Sequence, residues 1–286
     1  MDRNPIMKRW LFFGYGVICH LLFFVVFAYL MGFVGNVLVP KSVDSPTTIS
    51  VASAIAVNFL FLTIFGLQHS VMARPTFKRF LTQIVPEPIE RSTYVLISNI
   101  VTMLLVWQWQ AINIVVWDVQ NDLGRYLLWS LFAAGWLLVP AASLMINHFD
   151  LFGTRQVWLY LCGRQYTPLP FRTPMLYRYI RHPLYVGWAI AFWATPTMTL
   201  GHLLFAGFMT GYMALAALIE ERDLVTDLGS QYQEYQRLVP RYVPRLFGRS
   251  RLPADPVGSA PLVQSEAKLP GADLASEAQS NVGRNA

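Results

Sequence analysis

A chain of 286 residues that is 55% hydrophobic and only 13% charged is too apolar for an ordinary soluble domain, in which about a quarter of residues carry charge. Its net charge of +6 does not point to nucleic acid, because the basic residues fall in alternate loops between apolar runs. Two cysteines, Cys19 in an apolar run and Cys162 in a basic loop, exclude a disulfide framework and a cysteine-rich metal centre.

The basic start (Arg3, Lys8, Arg9) leads into an apolar run from Leu11 to Val34. That run is longer than a signal-peptide core and has no small-residue cleavage pattern, so it reads as a retained first transmembrane helix. At ~1.5 Å per residue it reaches about 36 Å, enough to span with some tilt. Further spans are expected from Ile49 to Val71, from Tyr94 to Trp117 and from Tyr126 to Ile146, the last with a kink at Pro140. Leu184 to Leu200 and His202 to Ile219 are each near the minimum spanning length of about 17 residues and read as a helical hairpin, full or partial. Basic residues crowd the N-terminus, the loop at 74–91, the loop at 155–181 and the segment after Arg222. Six crossings with both termini cytoplasmic satisfy every loop, as expected for a multi-pass protein of an inner (cell) membrane. The fold class is therefore an all-α polytopic bundle without a Rossmann domain, since strands do not alternate with helices. Residues 1–249 form one membrane domain, and Pro-, Gly- and Ser-rich residues 250–286 read as a disordered tail.

Two clusters of ionisable groups bracket the last hairpin. The first is Arg181-His182-Pro183-Leu184-Tyr185-Val186-Gly187; the second is Glu220-Glu221-Arg222, followed by Tyr232, Tyr235 and Val239-Pro240-Arg241. Carboxylates beside a bilayer are costly unless paired. Two at the C-terminal end of an apolar helix also face the negative end of its macrodipole. Arg181, Arg222 and a bound cationic ligand are the candidates to compensate them. The two clusters are expected to close on each other at the cytoplasmic surface and make a cofactor site.

Arg-His-Pro-x-Tyr-x-Gly, then Glu-Glu, then Tyr-x-x-Tyr with Val-Pro-Arg, resembles the C-terminal half of the integral-membrane methyltransferases, among them the isoprenylcysteine carboxyl and phospholipid N-methyltransferases. Leu67-Gln68-His69-Ser70-Val71-Met72-Ala73-Arg74-Pro75 and Asn147-His148-Phe149-Asp150-Leu151-Phe152-Gly153 resemble the nurim family, and more closely its bacterial members, the methanethiol S-methyltransferases. Where the carboxyl methyltransferases have Gly-Pro-Tyr, this chain has Pro174-Met175-Leu176-Tyr177, which favours the nurim side. The resemblance implies methylation of methanethiol to dimethyl sulfide with S-adenosylmethionine, bound within about residues 148–245.

The residues suit that chemistry. A sulfonium donor carries an amino group, a ribose and a carboxylate; Glu220 and Glu221 can hold the first two and Arg181 the third. Tyr185, Tyr232 and Tyr235 offer aromatic faces, and the resemblance adds His182 and Gly187 to the cofactor set. Free thiols are mostly protonated at neutral pH, with cysteine near ~8.5 as a guide, so a base or cation is wanted: His182, His148 and Glu220 are the catalytic candidates. His69 and Arg74 either line the thiol entrance or anchor a helix end. His148 and Asp150 either cap a helix or position substrate, and the resemblance favours the second. His20 reads as a packing histidine and His202 as a turn residue. Gly14-Tyr15-Gly16 has no strand before it and is not a nucleotide loop. Gly207 and Gly211 read as close packing. The histidines lack metal-ligand spacing, so no metal site is expected, and no obligate protein partner is evident. The alternatives are a lipid or prenyl-cysteine methyltransferase, a nurim-like protein without turnover, and a transporter. The last should show inverted repeats, which this chain lacks.

Overall fold

The computed structural model describes residues 5–245, so the expected tail at 250–286 lies outside the described residues. Five helices are long and apolar enough to cross a membrane: α1 (Pro5–Gly35), α2 (Val51–Met72), α4 (Glu87–Gln108), α5 (Asp122–Ile146) and α9 (Leu200–Leu228). The chain is a multi-pass helical membrane protein. Shorter elements serve the ends of these: α3 (Pro75–Leu81), α6 (His148–Leu151), α7 (Thr154–Leu161), α8 (Pro183–Trp193) and α10 (Ser230–Leu238). Sequence explains several boundaries. Ser50 caps α2 by accepting from the Ser53 amide, and Asn121 caps α5 by accepting from the Gly124 amide at 2.7 Å. Pro75 and Pro183 open α3 and α8, where a missing N–H costs nothing.

Two expected helices end early. The third span does not run to Trp117; its helix stops at Gln108 and the chain becomes extended, with β1 at Val115–Asp118. Asn58 holds the break, since its side chain bonds both the amide and the carbonyl of Gln110, at 2.8 and 2.6 Å, and the β-branched Ile114, Val115 and Val116 then favour strand. The expected helical hairpin is likewise corrected. Helix α8 is only 11 residues long, about 16 Å. Residues 194–196 form a bend, with the Thr195 amide bonded back to the Trp193 carbonyl, and lead into β2 (Thr197–Thr199). The segment before α9 is thus a short helix followed by a bend and a strand. Extended backbone is tolerated in such a bundle only where its polar groups are paired. Here β2 pairs antiparallel with β1, Val115 facing Thr199 and Asp118 facing Thr197. The amides of Leu200 and Gly201 bond the carbonyls of Ile114 and Ile112.

His202 is no turn residue. It is fully buried in the first turn of α9, and its Nε2 lies 2.9 Å from the Phe192 carbonyl, tying α8 to α9. Trp109, Phe33, Phe192, Phe205 and Trp136 fill the centre between α1, α4, α5, α8 and α9. The closest approach is between α5 and α8. A Cβ on Gly135 would sit 2.6 Å from the Ala191 amide nitrogen, and one on Gly187 3.1 Å from the Val139 nitrogen. Small residues at such crossings let backbones touch and maximise packing where no solvent drives association.

Candidate active site

At one end of the bundle the two clusters meet, as expected. The meeting is organised by Glu221, which is buried on α9. Arg181 reaches it with Nε at 2.8 Å and Nη2 at 3.2 Å; Arg241 does so with Nε at 3.1 Å and Nη2 at 2.7 Å. Gln236 adds a bond at 3.2 Å, and His182 Nε2 donates to Oε1 at 2.9 Å. Two forked guanidiniums on one carboxylate are strong, directional pairs. Arg181 also donates Nη1 to the carbonyls of Gln236 and Val239. Backbone bonds from the Arg181 and His182 amides to the Pro240 and Arg241 carbonyls close the loop. Segments forty and sixty residues apart are thereby locked around one carboxylate.

This changes the expected division of labour. Helix α9 continues to Leu228, so Glu220 and Glu221 sit about two turns before its end rather than on it, and the macrodipole is not their main problem. Compensation for Glu221 comes from Arg181 and from Arg241, not Arg222, which is exposed. The Glu221 carboxylate and the Arg181 guanidinium are therefore consumed by each other. Tyr232 and Tyr235 do not present open faces either: both are buried with Phe171 and Val239, and Tyr235 donates to the Tyr177 carbonyl at 2.6 Å. Burial first, then nearby Glu221 and Glu220, pushes the Tyr232 hydroxyl well above its usual range, and burial does the same to Tyr235. Gly187 spends its missing side chain on α5.

What remains open is Glu220. Its side chain is 49% exposed, accepts from the Tyr185 hydroxyl at 3.0 Å, and lies 3.9 Å from His182 Nδ1. His182 and Tyr185 stack with parallel rings, 5.2 Å between centroids and 3° between planes. Because Nε2 is committed to Glu221, Nδ1 is the nitrogen turned toward Glu220.

A family profile described as NnrU protein matches residues 58–241. The chain belongs to the NnrU family. It is 48% identical over 247 residues to a methanethiol S-methyltransferase of Crocosphaera subtropica, covering 86% of this chain and 97% of that protein. It is 50% identical over 238 residues to a methanethiol S-methyltransferase of Mycobacterium tuberculosis, covering 83% and 98%. A nurim homolog of Drosophila pseudoobscura pseudoobscura is 30% identical over 178 residues, 59% of this chain and 70% of that one. No solved structure matches.

Within the NnrU-matched region lies a second polar group, on α2, α4 and α9. His69 of α2 shares a hydrogen bond of 3.0 Å between Nε2 and the Tyr94 hydroxyl of α4. Ser70 bonds the Tyr212 hydroxyl of α9 at 3.1 Å, and Tyr185 is within electrostatic range of both Tyr212 and Tyr94. Arg74 pairs with Asp223 at 2.6 Å, clamping the end of α2 to α9. Arg241 was read as part of the second cluster but not as a partner of Glu221, while Tyr94 and Tyr212 escaped the sequence reading. Their signal was the recurrence of hydroxyl-bearing rings at one level of otherwise apolar helices, which one linear pass does not align.

His148 and Asp150 are elsewhere. His148 is buried, with Nδ1 2.8 Å from the Ser143 hydroxyl and Nε2 2.8 Å from Nε2 of His20, which in turn meets Thr154 at 3.2 Å. Burial holds the His148 imidazole below its usual range. Asp150 is paired with Arg155 at 2.8 Å and accepts from Tyr166 at 3.3 Å. His20 thus packs as expected, and among the described residues no hydrogen bond joins His148 or Asp150 to Glu220 or His182.

Proposed function

We propose that this chain transfers a methyl group from S-adenosylmethionine to methanethiol, forming dimethyl sulfide. The observation that carries the reading is the identity of about half over nearly the whole length of relatives named for that activity. The site suits the donor: a half-exposed carboxylate beside a tyrosine hydroxyl and an imidazole is a receptor for a cationic, hydrogen-bonding ligand at the mouth of an apolar bundle. When bound, such a donor supplies an electrophilic methyl on a positively charged sulfur. Glu220 holds its amino or ribose groups, with Tyr185 and His182 orienting the carboxylate and lining the pocket. Glu221, Arg181 and Arg241, with Tyr232 and Tyr235 behind them, hold those three in place rather than touching the ligand. The surrounding apolar helices exclude water, which favours a transfer in which charge is neutralised. His69 and Arg74 belong to the acceptor side, His148 and Asp150 to the packing of α1, α5 and α7. The Arg-rich end that carries the site faces the cytoplasm of the inner membrane. A small thiol that dissolves in the bilayer needs only a narrow passage to it.

Headspace gas chromatography on membranes given donor and methanethiol tests this directly. Dimethyl sulfide from the parent, and none from Glu220→Ala or His182→Ala, is expected. Donor bound but no product from the parent would overturn the small-thiol assignment in favour of a lipid or prenyl acceptor; neither binding nor product would overturn the enzyme reading.

A further inference from the structure

Apolar helices rarely carry polar rings without a task, since each must find a partner in a medium that offers none. His69, Tyr94 and Tyr212 are three such rings, with the Ser70 hydroxyl beside them, on α2, α4 and α9 at one level of the bundle. Tyr212 precedes Glu220 by eight residues on α9, a rise of about 12 Å, so this group lies deeper than the carboxylate. Tyr185, which donates to Glu220, is within electrostatic range of both Tyr94 and Tyr212. His69 is only partly buried, and Phe65 stacks on it at 5.5 Å and 22°, giving an apolar wall beside a polar edge. The guanidinium of Arg91 sits 5.3 Å over the Tyr94 ring. His69 Nδ1 lies 3.5 Å from the Ser98 hydroxyl, which favours the tautomer whose Nε2 is free to accept from Tyr94.

We propose that the Tyr94 hydroxyl contacts the acceptor thiol and that the Tyr94–His69 pair removes its proton. This rests on the methyltransferase reading above and names the deprotonating residues of that same site. The thiol S–H bond breaks as its proton passes to the Tyr94 oxygen; the proton already on that oxygen passes to His69 Nε2. A thiolate remains, Tyr94 is neutral again, and His69 is an imidazolium with Nδ1–H toward Ser98. Arg91 acts twice. It stabilises negative charge on Tyr94 and then the thiolate, and it repels the imidazolium, which returns its proton to water between turnovers. Other ionisable groups face the pair: Glu90 of α4, Tyr212 and Glu220 of α9, Tyr185 of α8, and Arg74 at the end of α2. Arg74 is neutralised by Asp223. The remaining phenols are neutral near pH 7, and Glu220 lies at the outer level.

The test compares a thiol with a selenol, which is already ionised at neutral pH and needs no base. For Tyr94→Phe, methanethiol turnover at pH 7 is expected to fall about a hundredfold, the range of general-base effects. It should recover roughly tenfold per pH unit as the thiol ionises by itself. Methaneselenol turnover should fall far less, within about fivefold of the parent, since only the contact and not the deprotonation is lost. His69→Gln should behave alike. Without donor, ethanethiol bound to the parent should show thiolate absorption in a short-wavelength ultraviolet difference spectrum, and the Tyr94→Phe protein should not. Equal loss of thiol and selenol turnover would make Tyr94 a packing residue and overturn the proposal, as would loss of neither. A parent that methylates neither substrate would refute the underlying reaction, and the proposal with it.

Discussion

Replacing Glu221 by glutamine separates a strut from a ligand contact. The side chain keeps its shape and loses its charge. Left behind are Arg181, with a side chain 9% exposed, and Arg241, 33% exposed, both aimed at an amide. Breaking a buried ion pair by removing one partner costs about 3–5 kcal/mol, and the partial exposure of Arg241 places the expectation near the lower end, about 3 kcal/mol. For a chain of this size 1 kcal/mol corresponds to about 2–4 °C, so Tm should fall by roughly 6–12 °C in thermal unfolding of the detergent-solubilised protein. Limited proteolysis should show the segment after Leu228 released first, because Glu221 is the carboxylate through which Arg241 and Gln236 of that segment are tied to α9. Glu220→Gln, beside it on the same helix, alters a half-exposed group and should move Tm by no more than about 1 kcal/mol equivalent while abolishing donor binding. If Glu221→Gln unfolds with the parent and loses only donor binding, the assignment of Glu221 as the strut is wrong and the two glutamates exchange roles.

Gly135→Ala should be worse than Gly187→Ala, because its new Cβ would lie 2.6 Å from backbone that cannot swing aside, against 3.1 Å; overpacking of this kind costs about 1–3 kcal/mol, read as lower Tm. Arg74→Ala breaks an ion pair whose Asp223 side chain is 52% exposed, and should change stability by less than about 1 kcal/mol in the same melt. His148 gives a pH dependence. Burial depresses its folded-state pKa below the unfolded value of about 6.5, so its contribution is whole above that pH and is lost as pH falls toward the folded pKa. The Tm drop between pH 7.5 and pH 5 should therefore be smaller in His148→Gln than in the parent; an equal drop would refute a neutral buried imidazole.

Composition and hydropathy were enough to establish the class, because a membrane span is a local property: about twenty apolar residues announce themselves whatever surrounds them. The meeting of Arg181-His182 with Glu220-Glu221 was legible for a related reason, since unpaired charge beside lipid demands a partner and few were available. Which partner each charge took was not. Arg241 lies twenty residues beyond Glu221 and Arg222 lies next to it, yet helix geometry turns Arg222 outward and the return of the chain after α10 brings Arg241 in. Tyr232 and Tyr235 looked like exposed aromatic faces because it is tertiary packing, with Phe171, Leu224 and Val239 among the residues, that covers them. The strand that follows α8 was hidden as well, because β1 and β2 are eighty residues apart and neither satisfies its backbone alone. Sequence by itself determined what must be buried and which charges must be answered, through local hydropathy and the cost of desolvation. Only the tertiary structure decided who answers them, because that depends on which side chains distant segments bring within three ångströms of one carboxylate.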